Sequence, residues 1–447
     1  MLVKNRDELA TTVLRGHVLD IIEAGVERVL PDNIMKSAVQ FDNRKKVLMI
    51  QDTCYSLAGG RIFVIGGGKA AGRMAETLEE IIGSDNIVAG TVISKGGDFT
   101  TSKIEVLTAS HPLPDERGLQ GVQKILMLKQ DYSISRNDLV TCLVSGGASA
   151  LMPCPVDGVS LEDKQKTTEL LLGCGADIRE VNTVRKHLSK TKGGRLGAFF
   201  SPATVVSLVI SDVIGDDLSV IASGPTYPDS STFQDAWNVL EKYQLLEKVS
   251  SSVVSYLERG LHGKVPETPK SLTNCDNYIT GNNRLALEAM AHKAGELGYK
   301  PNIITAEQQG DTTSAARTRA GEIVENRYQD YDAIIIGGET TPTLPLNAGK
   351  GGRNQHFAAV TMLAMQPYPG DWAAASAGTD GSDYLPEVAG ALVDNHSLSL
   401  AIDRGIDVQA YLDRFDSNSL FQEIGGSLLI TGNTGTNVGD VMLYLLK

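Results

Sequence analysis

Six stretches of this sequence bring glycine together with a charged or hydroxylated side chain, and each pairing suits an anionic ligand. In VIGGGKAAGRM, Gly66, Gly67 and Gly68 end a short apolar run and precede Lys69. Glycines at a strand-to-helix turn let backbone approach an anion, and the helix start aims N–H groups at it. Lys69 adds a full positive charge. In LVSGGASALMPCP a second apolar run meets Ser145, Gly146, Gly147 and Ser149, a nest for phosphate or carboxylate. In NTVRKHLSKTKGGRLG the residues Arg185, Lys186, Lys190, Lys192 and Arg195 are dense for an acidic chain. Such runs are ordinarily solvated faces, but the Gly193-Gly194 exit makes one or two of them cleft residues without saying which. In LVISDVIGDDLSVIASGPTYPD a strand end delivers Asp212, with Asp216 close behind, and carboxylates there suit Mg²⁺ shared with substrate phosphates. IIIGGETTPTLPLNAGKGGRNQHFAAV supplies Gly338 and Glu339, then Lys350 and Arg353 at a helix start, where a guanidinium can clamp a phosphoryl group or a carboxylate. AAASAGTDGSDYLPEV adds Asp380 and Asp383, as metal ligand or as base toward a hydroxyl.

This equipment is cations, anion nests and carboxylates, with no evident nucleophile. Phosphoryl transfer needs that combination, since it is catalysed by positioning and charge neutralisation. Gly66-x-Gly68-x-x-Ala71 also fits a dinucleotide fingerprint, so hydride transfer with a nicotinamide cofactor is the alternative. Yet the next strand ends in Ser94-Lys95, where a ribose-binding acid is expected. Ala70 after Lys69 departs from a Walker A loop, and the segment Gly147–Leu151 lacks the second glycine of a nucleophile elbow. A non-catalytic sensor of nucleotides or sugar phosphates is a third reading, and the clustered aspartates weigh against it.

A formal charge of −13 argues against general nucleic-acid binding. The 5 cysteines and 7 histidines show neither C-x-x-C nor H-x-x-x-H spacing, so zinc is not indicated. No window has the uncharged apolar length of a membrane span, and the first thirty or so residues carry charges throughout, so the expectation is a cytoplasmic protein.

The elements that must hold these residues alternate. Apolar periodicity predicts a helix over 8–30, then strands at 61–65, 87–93, 104–108, 138–144 and 204–211. Helices are expected at 69–82, 115–129, 161–173 and 177–190. This implies a largely parallel sheet covered on both faces. A mostly helical connector at about 230–272 ends in a Pro- and Lys-bearing stretch taken as the domain boundary. A second alternating set follows, with strands at 277–281, 301–305, 332–337 and 372–377 and helices between them, and the C-terminus reads as two strands around a polar turn. The expectation is an α/β protein of two domains, 1–272 and 273–447, facing one cleft.

VIGGGKAAGRMA, SHPLPDERG, LVSGGASALMPCP, REVNTVRKHLSKTKGGRL, SDVIGDDLSVIASGPT, GGRNQHFA, GTDGSD and TGNTGTNVGD occur in the order of the glycerate 2-kinase family with its C-terminal MOFRL domain, which the chain resembles over nearly its whole length. Some members of that family carry the hydroxypyruvate reductase label, which makes an NAD(P)H-dependent hydroxypyruvate reductase the specific form of the hydride-transfer alternative. The resemblance implies ATP- and Mg²⁺-dependent phosphorylation of D-glycerate at its 2-hydroxyl. It also implies a Rossmann-like, doubly wound N-terminal domain, a smaller α/β MOFRL-type domain and an active site in the interdomain cleft. The family's active-site lysine falls on Lys69 and its arginine on Arg353. Asn433 is a mild departure, standing where the family more often has proline. The expected ligands are ATP, Mg²⁺ and D-glycerate, with homo-oligomerisation left open.

Overall fold

The computed structural model describes residues 2–447. The chain forms two compact units, one of Ile34–Thr280 and the other joining the segment up to Asn33 with Gly281–Lys447.

Ile34–Thr280 begins with an antiparallel sheet the sequence reading did not anticipate, β1 (Val39–Asp42), β2 (Val47–Ile50) and β3 (Thr53–Ser56). Its main sheet holds β4 (Ile62–Gly67), β5 (Ile87–Ser94), β6 (Ile104–Thr108), β7 (Leu139–Val144), β8 (Thr204–Ile210) and β9 (Cys275–Gly281). The order is β6-β5-β4-β7-β8-β9, and the pairs from β6 through β8 are parallel. Counted from β4 this is the order of a doubly wound dinucleotide-type sheet, with its topological switch between β4 and β7. Every residue of both strands is buried, because helices cover both faces. Phe63, Ile65, Val140, Cys142 and Val144 pack with Val122 and Ile125 of the helix Glu116–Asp131.

The stretch around 230–272 is no free connector. Helices Phe233–Lys242 and Ser251–Leu261 share a core with Leu171, Val181 and Val184 of the preceding helices. The chain then returns to the main sheet as β9. The compact unit therefore runs past the expected boundary at 272, because a sixth strand completes its sheet.

The other unit also takes in the N-terminal segment up to Asn33. Helix Val13–Arg28 packs on helix Asn283–Glu296, so closely that a Cβ on Gly25 would sit 2.6 Å from Met290 Cγ. An amphipathic helix is stable only where its apolar stripe is covered, and here the cover lies far along the chain. The sheet comprises β10 (Pro301–Gln308), β11 (Ala333–Gly338), β12 (Trp372–Gly378), β13 (Gly390–Asp394), β14 (Leu428–Leu429) and β15 (Asp440–Leu446). In the order β10-β11-β15-β12-β13-β14 only β10 and β11 are parallel. The two C-terminal strands exist as expected but do not pair. β15, wholly buried, inserts between β11 and β12, while β14 lies at the edge. Helix Arg353–Ala364 is buried on nearly all sides from Asn354 to Met362, so its start is held rigidly.

Candidate active site

In Ile34–Thr280 the loops after β4 and β7 meet at the switch point. Gly68 N donates to Ile93 O at 3.0 Å, Lys69 N to Gly146 O at 2.8 Å and Ala70 N to Ser145 Oγ at 3.0 Å. Gly68 has φ 146°, and a Cβ there would overlap Ser145 Oγ. The glycines thus serve close contact between two loops, and the amides of Gly68, Lys69 and Ala70 are spent on bracing. What the brace presents is the half-buried Lys69 side chain.

Gly147, at φ 84°, fits between that side chain and His111, since a Cβ would lie 3.2 Å from Lys69 Cγ and 2.9 Å from His111 Cδ2. Burial, helped by the charges of Lys69 and Lys95, pushes the His111 imidazole down to about 4. At neutral pH it is uncharged, with one donor and one acceptor nitrogen. His111 lies beyond β6, and no spacing in the sequence marked it. A Cβ on Gly146 would overlap the Asp212 carboxylate, so that acid from the end of β8 lies against the same loop. Asp216 follows in left-handed backbone at φ 54°. Ser149 bonds to Ser223, Oγ to Oγ at 2.9 Å, and its carbonyl accepts from Lys192 Nζ at 3.0 Å.

The second unit centres on Arg353. Its Nε and Nη2 bind Asp440 Oδ2 and Oδ1 at 2.6 and 3.0 Å, and its Nη1 meets Glu339 Oε1 at 2.6 Å. Asp440 is fully buried, and the acids on either side hold the guanidinium above its ordinary value, although burial opposes this. The Asp440 bonds use one N–H on Nε and one on Nη2, and Nη1 is engaged in the Glu339 ion pair. Glu339, expected among the cofactor-binding residues, is thus an ion-pair partner of Arg353. Gly338, at φ 145°, makes a close approach to the Gln308 backbone. Asp440 escaped the sequence reading because its role depends on β15 entering the middle of the sheet.

Asp383 has both oxygens occupied. Oδ1 accepts from Asn354 N at 3.0 Å and Oδ2 from Gln355 N at 2.8 Å, capping the helix whose Gly352 N-cap has no side chain to do so. Burial nevertheless pushes its carboxyl up to about 6, against the pull of these bonds. Asp383, expected as a metal ligand or a base, is engaged here as the cap of this helix. Asp380 is only half-buried, with Oδ1 accepting from Ser382 N at 2.9 Å and Ser382 Oγ at 3.0 Å. Lys350 sits on an exposed loop tied to Asp416 by its backbone N–H at 2.9 Å. Among the described residues no group of three or more His, Cys, Asp and Glu gathers as a metal site, and none of their helices is long and apolar enough to cross a membrane.

Fold and side chains together describe an α/β protein that holds fixed cations and carboxylates at the ends of its strands and helices. Residues 17–258 match the profile of a domain of unknown function, DUF4147, and residues 332–440 match the MOFRL family. The chain belongs to the glycerate 2-kinase family. It is 38% identical to a glycerate 2-kinase of Pyrococcus horikoshii over 96% of each chain. The crystal structure of a glycerate kinase from Thermotoga maritima superposes with a TM-score of 0.85 at 38% identity, covering 96% of this chain and 99% of that one. An Agrobacterium vitis protein with a provisional hydroxypyruvate reductase name is 38% identical over 87% of each chain.

Proposed function

We propose that this protein transfers the γ-phosphoryl group of ATP to the 2-hydroxyl of D-glycerate, giving 2-phosphoglycerate and ADP. The observation that carries the reading is the brace between the β4 and β7 loops, which fixes Lys69 at the switch point of a doubly wound sheet. Ligands of such sheets bind there, at the carboxyl ends of the strands.

Lys69 supplies the cation toward the transferring phosphoryl group, and Arg353, in its own unit, is an oriented guanidinium suited to a carboxylate. The Asp440 and Glu339 pairs orient Arg353, so the guanidinium needs little reorganisation when the ligand arrives. Neutral His111 offers a hydrogen bond beside Lys69 without adding charge. Asp380 is the better general base, since Asp383 is spent on the helix start. It takes the proton of the attacking hydroxyl as the oxygen bonds to phosphorus and ADP departs. Mg²⁺ supplies charge neutralisation on the nucleotide phosphates. Asp212 fits a role in holding it, because a carboxylate against the Gly146 loop is the kind of single protein ligand such ions take with phosphates.

Phosphorus NMR of a mixture of protein, D-glycerate and MgATP tests the assignment, with 2-phosphoglycerate and ADP as the expected products. The reductase reading keeps one observation, the Gly66-x-Gly68-x-x-Ala71 turn. Oxidation of NADH by hydroxypyruvate, without ADP formation in the kinase mixture, would reverse the assignment.

A further inference from the structure

The basic run after β7 divides into two kinds of residue. Lys186 pairs with Asp229 at 3.1 Å, and Lys190 with Asp157 at 2.5 Å. Lys192 and Arg185 instead turn to one neutral acceptor, the Ser149 carbonyl, at 3.0 and 3.5 Å. Lys164, from helix Leu161–Gly173, comes close enough to Arg185 and Arg195 to be repelled by both. Its ammonium has no hydrogen-bond partner, and neither has Nη2 of Arg195. Lys164 is 5% exposed and Lys192 2%.

Buried cations are normally paired, because an uncompensated charge in a low-dielectric interior is strongly disfavoured. Here Arg185 and Lys192 converge on one carbonyl with Lys164 near both, and among the described residues no carboxylate bonds to any of the three. We propose that Lys164, Arg185 and Lys192 form an anion-binding site at Ser149 that takes a phosphate or carboxylate oxygen of a small ligand. The carbonyl holds two of the cations in place, and the ligand supplies the missing negative charge. Burial and mutual repulsion push the Lys164 ammonium down to about 7 and lower Lys192 as well, the opposite of what a resident counter-ion would do. Ser149 is in the one-turn helix Ala148–Leu151 that directly follows the Ser145-Gly146 brace of Lys69, so an anion held there neighbours the proposed reaction site. That last role rests on the kinase reading, whereas anion binding itself does not.

The test uses the full chain, with thermal unfolding and calorimetric titration at constant ionic strength. Inorganic phosphate and D-glycerate are the probes, and chloride is the reference. In the wild type, phosphate or glycerate raises the melting temperature saturably where chloride does not. A response to phosphate alone assigns the site to phosphoryl groups, and one to glycerate alone assigns it to the carboxylate. Lys164→Met and Lys192→Met each weaken that binding at least tenfold and raise the melting temperature of the ligand-free protein, because they remove an uncompensated charge. Lys190→Met, outside the cluster, leaves binding unchanged. Wild-type affinity for both anions in the two cluster variants overturns the proposal. Should the variants fail to fold, NMR of the lysine side chains in wild-type protein decides, and no change at Lys164 or Lys192 on adding either anion overturns it equally. If wild-type protein phosphorylates glycerate while the variants bind both anions normally, the function stands and this site falls. If the variants lose anion binding but the wild type shows no turnover, the site stands and the kinase reading falls.

Discussion

Lys69 and Arg353 are held in opposite ways, and their variants should fail differently. Lys69 projects from a brace made by backbone, so Lys69→Met should lower kcat by ~10²–10³ with little change in melting temperature. Arg353→Gln should lose comparable activity and also stability, because Asp440 stays buried without its counter-ion. Breaking a buried pair costs about 3–5 kcal/mol, and the partial solvation of Arg353 brings the expectation to about 2–4 kcal/mol in chemical denaturation. The two neighbouring aspartates separate similarly. Asp380→Asn should depress kcat ~10²-fold or more in steady-state kinetics with the fold intact, whereas Asp383→Asn should cost ~1 kcal/mol of stability through its helix cap. His111 carries the pH prediction. An ordinary histidine takes up its proton near ~6.5, but the folded protein refuses it until about 4. Between those values the unfolded chain binds more protons, so His111 makes stability fall as pH drops through that window. An NMR titration of its ring should give a midpoint near 4, moving upward in Lys69→Met, and a midpoint in the ordinary range would contradict the burial described.

At the scale of elements, the strands matter for where they end. β4 and β7 lie side by side at the switch point, so the loops that follow them can share hydrogen bonds that neither could form alone. Gly68→Ala tests this directly. A side chain at φ 146° is strained, and its Cβ would overlap Ser145 Oγ. The expected loss is ~2 kcal/mol or more in denaturant titration, with weaker binding of MgATP, because the brace must open to admit the methyl group. A stability within error of wild type would show the brace to be more plastic than described. Glycine clusters after apolar runs made these turns readable from sequence, since few other arrangements tolerate such density. Which partner each glycine approaches was not readable. Free N–H groups were expected at the helix start that follows Gly66–Gly68, and those of Gly68, Lys69 and Ala70 bond to protein groups.

For the whole molecule, covalent order and spatial order disagree. The helix Val13–Arg28 completes the unit that holds Gly281–Lys447, and β9 completes the sheet of Ile34–Thr280. A fragment of 34–280 should therefore unfold cooperatively, as read by circular dichroism. A fragment of 1–272 should be less stable or aggregate, because it lacks β9 and exposes the face of the helix Val13–Arg28 that Asn283–Glu296 covers. Equal melting temperatures for the two would count against the described division.

Alternating apolar runs and helical periods determined, by themselves, that the chain is α/β, where most of its strands lie, and that Lys69, Asp212 and Arg353 stand at element ends. Such patterns are local, since a strand or helix is encoded within its own few turns. Tertiary structure alone decided that β15 enters mid-sheet with Asp440 to pair Arg353, that His111 joins Lys69, that Asp383 caps a helix, and which members of the basic run are buried without a carboxylate. Each of these depends on contacts between residues tens of positions apart. Their energy comes from burial and charge pairing, which no spacing along the chain records.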